Sequence, residues 1–429
     1  MSAKIPRRVF LKQGGMALAA MTFFPTFGPK FLQNIALAEE VRPGERKKIV
    51  VCLFQRGAVD GLSMVVPYGD ASYYEYRTSI ALARPRFGST SDGVINLDGF
   101  FGLHPSLSAL LPLYNAGHLA PIHACGSPAA TRSHFDAQDF MESGTTGDQS
   151  SDSGWLARAV MACPEDRARK IRSVALTAEI PRSLQGDPKA IAFTGVDSEH
   201  FGGGHGGVKQ GAEVEYEEMY RNSFNDVLRS AGTEAFDAIG ALNSIDPKKY
   251  TPDHGAEYPK GHVGEALKQV AQLIKADLGL RVAFADCSGW DTHVNQGGVH
   301  GQLSNNLKEL GDAVAAFFYD MGEKMSDVVL VTMSEFGRTA RQNGSGGTDH
   351  GHGTCFFVLG GNVRGGKVLG TWPGLYEGAL YEGRDLAVTT DYRDVLAEIT
   401  MRHLGVRDAS GIFPRFTISP GKFRNIMPA

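Results

Sequence analysis

The stretch Val328–Ala340, which reads VVLVTMSEFGRTA, combines the two features that decide the fold. It begins with six residues, VVLVTM, that are almost all apolar, and it ends in a polar segment that contains glycine. An uninterrupted apolar run of this length is typical of a parallel strand that is buried on both faces of a sheet. Similar runs recur outward along the chain, at Ile49–Phe54, Leu119–Cys125, Ile171–Leu176, Arg281–Ala285 and Cys355–Leu359.

Segments with helical spacing lie between these predicted strands. In Gln302–Met321 the apolar side chains recur on one stripe, and Pro105–Tyr114 and His262–Leu278 show similar spacing. The alternation of strands and helices predicts an α/β fold with a doubly wound, mostly parallel sheet and helices on both faces. Ligands bind such sheets in the loops that follow the carboxyl ends of the strands.

The first 38 residues have the layout of an export signal. Arg7 and Arg8 are followed by Val-Phe-Leu-Lys, then by an apolar run of 11 residues from Gly14 to Phe24, and then by Ala-Leu-Ala at 36–38. This order indicates a cleavable signal, and the arginine pair favours the twin-arginine type, with a Sec-type signal as the alternative. A membrane-spanning helix needs roughly 18 apolar residues, so we expect no permanent membrane anchor. The prediction is a periplasmic or secreted bacterial protein that meets the twin-arginine translocase during export.

Composition restricts the remaining chain to a globular, acidic domain. Hydrophobic residues make up 42% of the 429 residues, which is enough for a large core. Beyond residue 38 there are 38 basic and 47 acidic side chains, a balance of −9 that argues against nucleic acid as a partner. We therefore predict one α/β domain over residues 39–429. Residues from about 200 to 262 differ in composition and are interpreted as an inserted helical cap, with a solvated surface excursion as the alternative.

Polar residues that bind metals or transfer protons cluster in five loops next to the predicted strands. Because carboxyl ends of parallel strands meet at one edge of a sheet, these loops are expected to converge. The loops are Arg56–Gly61, Ser127–Asp136, Gly289–His293, Ser334–Thr339 and Gly347–Gly353.

The clearest metal-binding pattern is Asp349, His350 and His352 among glycines, supported by Asp291 and His293 two residues apart. Carboxylate oxygen and neutral imidazole together suit zinc, manganese or iron, and glycine allows the backbone to approach an ion. Calcium is kept as a further candidate. The alternative is that these histidines cap helices or form hydrogen bonds within polar loops.

A hydroxyl nucleophile is expected at the start of the helix that begins near Phe135. Thr131 and Ser133 precede that helix, and amides at a helix N-terminus favour anions. Simple capping by Ser or Thr is the alternative. Arg132 is a candidate for binding an oxyanion, or for a structural ion pair with Asp136 or Asp139.

Two further carboxylates stand at strand ends. Glu335 follows the VVLVTM run and is interpreted as a metal ligand, a base or the partner of Arg338. Asp60 is a candidate ligand, although Asp-Gly is also a common turn pair.

Together these motifs resemble the bacterial exported family called Domain of Unknown Function 1501, a relative of the alkaline phosphatase and sulfatase superfamily. The resemblance covers nearly all of the chain beyond the signal. The matching stretches are RGAVDGLSMVVPY, TRSHFDAQDFMESG, GWDTHVNQGG, VVLVTMSEFGRTA, GTDHGHGTCFFVLGG and DLAVTTDYRDVLAEI.

The resemblance implies an alkaline-phosphatase-like sheet with a nucleophile at Thr131 or Ser133 and metal ligands among Asp60, Asp291, His293, Glu335 and His352. The superfamily triplet Asp-His-Gly is replaced here by Glu335-Phe336-Gly337, so His350 or His134 is the expected substitute for the missing imidazole. The sulfatase pattern Cys-x-Pro-x-Arg is absent, which argues against a formylglycine sulfatase.

The sequence thus predicts an exported, metal-dependent hydrolase of phosphate or sulfate esters, whose substrate is a small molecule or is linked to a polymer. The alternative is a catalytically divergent relative that acts as a binding or structural protein outside the cytoplasm.

Overall fold

The computed structural model describes residues 48–85, 93–147, 151–163, 171–194 and 250–428. The predicted signal segment lies outside these ranges, and so does most of the predicted insertion. Export and the helical cap therefore stay predictions. Within the described ranges, none of the helices combines the length and apolar character that a membrane span requires.

Buried apolar runs form the strands of two sheets. Eight strands make the large sheet, in the order β11-β5-β10-β9-β1-β8-β6-β7, and three short strands make a small sheet in the order β2-β4-β3. The strands are β1 (Ile49–Gln55), β2 (Val65–Val66), β3 (Ile95–Asn96), β4 (Gly102–Leu103), β5 (Leu119–Gly126), β6 (Ser173–Ala175), β7 (Ala190–Ala192), β8 (Val282–Cys287), β9 (Val328–Met333), β10 (Thr354–Gly360) and β11 (Thr390–Asp391).

Eight α-helices accompany the strands in the described ranges. They are α1 (Gly61–Met64), α2 (Ala71–Tyr76), α3 (Leu111–Asn115), α4 (His134–Ser143), α5 (Trp155–Ala162), α6 (His262–Lys275), α7 (Gln302–Met321) and α8 (Tyr392–Arg402). The predicted helix over Pro105–Tyr114 is a 3₁₀ segment, Pro105–Leu110, that continues into α3.

The large sheet has apolar layers on both faces, as the sequence predicts. Val51 and Leu53 of β1 belong to one buried cluster, which includes side chains of α6 and α7. Val50 and Cys52 alternate with them and belong to a second cluster, which includes side chains of α5 and α8. Because successive strand residues point to opposite faces, this division confirms a sheet that is covered by helices on both sides.

Strand β10 departs from the parallel direction that its apolar run suggests. It pairs antiparallel with both neighbours, β5 and β9, while β1 pairs in parallel with β8 and β9. The sheet is therefore mostly parallel, and the interpretation of Cys355–Leu359 as a parallel strand is wrong. An apolar run records burial on both faces and carries no information about direction. The reversal places the start of β10, and the loop before it, at the carboxyl edge of the parallel strands.

All five cysteines are buried, and none of them forms a disulfide. Cys52, Cys125 and Cys355 lie in strands, as predicted, where they serve as small apolar side chains.

Candidate metal centre

Three imidazoles and one carboxylate converge at the carboxyl edge of the large sheet. The Nε2 atom of His350 lies 3.0 Å from Nε2 of His134 and 2.9 Å from Nε2 of His293. Asp291 completes the group, with Oδ1 3.0 Å from Nε2 of His293 and 3.3 Å from Nε2 of His350. The other oxygen of Asp291, Oδ2, lies 3.6 Å from Nε2 of His134.

The opposite nitrogen of each ring is held by an oxygen acceptor. The Nδ1 atom of His134 lies 2.8 Å from Glu335 Oε1, and that of His293 lies 3.0 Å from Asp349 Oδ1. The Nδ1 atom of His350 lies 3.0 Å from the carbonyl oxygen of Arg132. Because a carboxylate and a carbonyl only accept, each Nδ1 carries the proton in the neutral ring, and the Nε2 lone pair of His350 faces those of His134 and His293.

Lone pairs that point at one another repel unless a proton or a cation lies between them. A tetrahedral ion at about 2.0–2.1 Å from its ligands separates those ligands by about 3.3 Å. The contacts within the cluster run from 2.9 to 3.6 Å, and the ligand atoms of His134, Asp291 and His350 all lie within 4.8 Å of one another. The donor set of two imidazoles and one carboxylate in that triad suits zinc, manganese or iron, whereas calcium prefers six or more oxygen ligands. His134, Asp291 and His350 are therefore the candidate ligands of one ion, and His293 lies against them.

Each ligand is delivered by the end of a sheet strand. His134 is the first residue of α4, whose N-cap is Ser133, after β5. Asp291 and His293 follow β8, and His350 precedes the antiparallel strand β10. Loops that are far apart in the sequence therefore meet because all of them lie at one edge of the sheet.

Arg338 is buried beneath the cluster and connects several of these loops. Its guanidinium donates to the carbonyl oxygens of Gly57 at 2.6 Å, Ala58 at 2.7 Å, Thr348 at 3.0 Å and Trp290 at 3.1 Å, and it also contacts the carboxylate of Asp291. Burial opposes the ionisation of Asp291, but the bond to Arg338 and its charge outweigh burial, so the pKa of Asp291 is lowered. Asp291 is thus a fixed carboxylate that stays ionised.

The carboxylate of Glu335 contacts the Nδ1 side of His134, opposite the cluster, and accepts several hydrogen bonds there. Its Oε1 accepts from His134 Nδ1, from the amide of Gly57 at 2.8 Å and from Nε2 of Gln138 at 2.9 Å. Burial raises the pKa of Glu335, but these hydrogen bonds, led by that of His134, lower it below its usual value. The structure places Glu335 in the outer shell of the cluster. Of the three alternatives for Glu335, the pairing with Arg338 is wrong, because Arg338 pairs with Asp291.

The surroundings shift the pKa values of His134 and His350 in opposite directions. The hydrogen bond from His134 to Glu335 raises the pKa of His134. Burial, followed by repulsion from His134, lowers the pKa of His350. His350 is therefore a neutral ring that touches both other imidazoles, which is the form that a metal requires.

Arg132, Thr131 and Ser133 adjoin the cluster through the bond from His350 to the Arg132 carbonyl. The Arg132 side chain pairs with Glu382 and Asp385, each at 2.7 Å, so the alternative of an ion pair with Asp136 or Asp139 is wrong. Thr131 Oγ1 accepts from the amide of Ser133 at 3.1 Å, and the Ser133 hydroxyl accepts from the amide of Asp136 at 3.4 Å. Both hydroxyls thus take the turn and capping positions that were the alternative to nucleophilic attack.

Two predicted ligands lie away from the cluster. Asp60 is fully buried, and both of its oxygens accept from Arg77, at 2.5 and 2.9 Å. The ring of His352 stacks on Tyr381 with 4.2 Å between ring centroids. His352 lies only two residues from His350, but its ring packs on Tyr381 whereas that of His350 contacts His134 and His293.

Gln138 and Gln296 contact the residues around the cluster and were missed from the sequence, because amides are not among the usual metal ligands. Gln138 donates to Glu335 while its Oε1 accepts from Arg56 at 2.9 Å. Its spacing of four residues from His134 was an available signal, since such pairs share one face of a helix.

A protein-family model matches most of the chain. Residues 47–412 match the family described as "Protein of unknown function (DUF1501)". The chain belongs to the DUF1501 family. No curated protein is detectably similar to it in sequence.

This DUF1501 protein is similar to several solved structures at low sequence identity. The PH0037 protein of Pyrococcus horikoshii is 13% identical, with coverage of 84% of this chain and 98% of that one, at a TM-score of 0.31. The C-terminal periplasmic domain of EcEptC from Escherichia coli, in complex with zinc, is 10% identical, with 73% of each chain covered, at 0.32. A mutant TAB5 alkaline phosphatase with bound magnesium is 13% identical, with coverage of 73% and 91%, at 0.29. TM-scores this low assign neither an activity nor a ligand to the DUF1501 chain.

Proposed function

We propose that this DUF1501 protein is an exported, metal-dependent hydrolase of phosphate or sulfate esters. The observation that carries the proposal is the convergence of imidazole Nε2 lone pairs with the Asp291 carboxylate, each imidazole being oriented by an acceptor at its Nδ1. Outer acceptors of this kind orient metal-ligating histidines in enzymes. A divalent transition metal bound there would polarise an ester oxygen as a Lewis acid.

The exposure of the cluster supports catalysis over a purely structural metal site. The side chains of Asp291 and His293 are 45% and 38% exposed, whereas those of His134 and His350 are 24% exposed. Structural metal sites are closed, and catalytic sites keep one side open to substrate. The open side is that of Asp291 and His293, where an ester oxygen can approach.

The hydroxyl of Thr131 or Ser133 is the proposed nucleophile. Its oxygen forms a bond to phosphorus or sulfur while the bond to the leaving oxygen breaks, the hydroxyl proton passes to water, and the leaving oxygen takes up a proton. Water then attacks the same phosphorus or sulfur and releases the hydroxyl. Ser133 is exposed, and its capping bond of 3.4 Å is long, so releasing it costs little. The amides at the start of α4 favour the negative charge that develops.

A second candidate function is supported by the hydrogen bonds and ion pairs that the polar side chains near the cluster already make. Arg132 is bound by Glu382 and Asp385, and both hydroxyls accept hydrogen bonds within their own loop. A protein that keeps the metal centre and binds a partner or a polysaccharide outside the cytoplasm has no need of a free nucleophile. This is the binding or structural alternative.

Elemental analysis of the mature protein, purified after native export without chelator, tests the first step. We expect one equivalent of zinc, manganese or iron, which is lost in His350→Ala and Asp291→Ala and retained in His300→Ala, a variant of an exposed histidine after β8. Calcium alone, or no metal after reconstitution, would contradict the proposal.

Chromogenic phosphate monoesters, phosphate diesters and sulfate esters, assayed with the metal found, separate the two candidate functions. Turnover that requires His350 and either Thr131 or Ser133 supports the hydrolase. Full metal content without turnover of any ester in the panel supports the binding protein.

A further inference from the structure

Asp60 pairs with Arg77 and not with the imidazoles of the candidate metal centre. A chain of buried polar groups nevertheless links Asp60 to the loops that carry those imidazoles. The Oδ2 atom of Asp60 accepts from Nε2 of Gln296 at 2.7 Å. The Oε1 atom of the same amide accepts from the hydroxyls of Thr292, at 2.8 Å, and Thr348, at 2.6 Å. All four side chains are at most 1% exposed.

The two threonines belong to different ligand loops. Thr292 lies between Asp291 and His293, and Thr348 lies two residues before His350. Their backbones also meet, because the amide of Thr348 donates to the carbonyl of Thr292 at 3.1 Å. One amide oxygen therefore joins the two segments whose side chains supply three of the four groups of the cluster.

The orientation of the Gln296 amide is determined by its neighbours. Asp60 is held as a carboxylate by Arg77, so its oxygens only accept, and the NH₂ group of Gln296 must face it. Rotating the amide by 180° would place Oε1 against a carboxylate oxygen. The Oε1 atom is thereby fixed towards the threonines.

We propose that Gln296 is a positioning residue that sets the separation of the two ligand loops, and that Asp60 acts through Gln296. The proposal rests on the metal centre described above and assigns the buried RGAVDG aspartate an outer role. Loss of an outer partner of this kind typically weakens metal affinity by about 10- to 100-fold.

Titration of the metal-free mature protein with Co²⁺, in the absence of any ester, measures this effect through affinity and through the visible absorption of bound Co²⁺. We expect Gln296→Leu to bind Co²⁺ about 10- to 100-fold more weakly than wild type and with altered absorption. Thr292→Val and Thr348→Val should each weaken binding less. The triple variant should match Gln296→Leu, because all three changes remove one shared link.

Gln272→Leu is the matched control. That glutamine is buried in α6, a helix that carries none of the groups of the cluster, and its loss should leave Co²⁺ binding unchanged. All titrations are made well below the melting temperature of each variant, so that a loss of stability alone does not change the absorption of bound Co²⁺.

Wild-type affinity and absorption in Gln296→Leu and in both threonine variants would overturn the proposal, since the backbone contacts between the loops would then suffice. Additive losses in the triple variant would also overturn it. A wild-type protein that binds neither Co²⁺ nor Zn²⁺ would instead overturn the metal centre itself. The two failures are distinguishable without any enzymatic assay.

Discussion

Replacing Asp60 by Asn distinguishes a buried structural ion pair from a metal ligand. Asp60 and Arg77 are both fully buried, and the guanidinium meets both carboxylate oxygens. Burial opposes ionisation of Asp60, but the charge of Arg77 and the hydrogen bonds from Arg77, Ser63 and Gln296 outweigh it, so the pKa of Asp60 is lowered. The carboxylate therefore remains charged at neutral pH.

Removing one partner of such a pair leaves the other charge buried and costs about 3–5 kcal/mol of unfolding free energy. Arg77 also donates to the carbonyls of Thr339 and Ala340, at 3.0 Å each, and to Ser63. These acceptors survive in Asp60→Asn, so we expect a loss near the lower limit, about 3 kcal/mol. The double variant Asp60→Asn with Arg77→Met should lose less than the two single losses combined, because it leaves no unpaired charge.

Urea denaturation of the metal-free protein at pH 7 measures these differences. Asp312→Asn is the matched control, because Asp312 pairs with Lys308 on the exposed surface of α7, and its loss should change stability by no more than about 0.5 kcal/mol. If metal-free Asp60→Asn is as stable as wild type but binds no metal, Asp60 is a ligand and the structural interpretation is refuted.

Three further predictions concern other buried groups. Gln138→Leu should weaken Zn²⁺ binding by about 10- to 100-fold, because Glu335 loses a donor and holds His134 less firmly, and competition with a chromogenic chelator measures this. Wild-type affinity would show that the remaining donors, Gly57, His134 and Ser334, suffice to orient Glu335. Burial lowers the pKa of His104, His123 and His403 from 6.5 to about 4, so the unfolded chain takes up protons first as pH falls. Stability present above pH 6.5 should be lost towards pH 4, by about 3 kcal/mol for each histidine, and denaturation of a His403→Gln variant across that range should show a shallower loss than wild type. All five cysteines should react with a thiol reagent only at the rate of unfolding, and fast labelling of the native protein would contradict their burial.

The fold could be predicted because burial leaves a direct record in the sequence. Runs such as Val328–Met333 are almost entirely apolar because both faces of the strand pack against helices. The direction of a strand leaves no such record, and for this reason the antiparallel course of β10 was missed. That direction matters for the site, because it brings His350 to the edge where Asp291 and His293 lie.

The sequence predicted which residues form the site, and the structure shows which of these residues contact one another. His134, Asp291, His293 and His350 meet, whereas Glu335 lies behind one of them. A buried carboxylate at a strand end suits a ligand, a base or an ion pair equally well. Which of these it becomes depends on the donors that surround it, and those come from other loops.

The residues that sequence reasoning missed share one property, which is that they donate hydrogen bonds in fixed directions. A search for metal chemistry selects lone pairs, and therefore His, Asp and Glu. The lone pairs here converge because Arg338 holds Asp291 and because an amide in Gln138 donates to the acceptor of an imidazole. An amide is suited to this role because its oxygen accepts hydrogen bonds and its nitrogen donates them. A fixed neighbour at one of these atoms therefore determines what the other atom can bind. Arg56 donates to Oε1 of Gln138, so the NH₂ group of Gln138 faces Glu335, which also accepts from His134. The residues that orient His134 therefore extend two shells beyond the groups that would touch an ion.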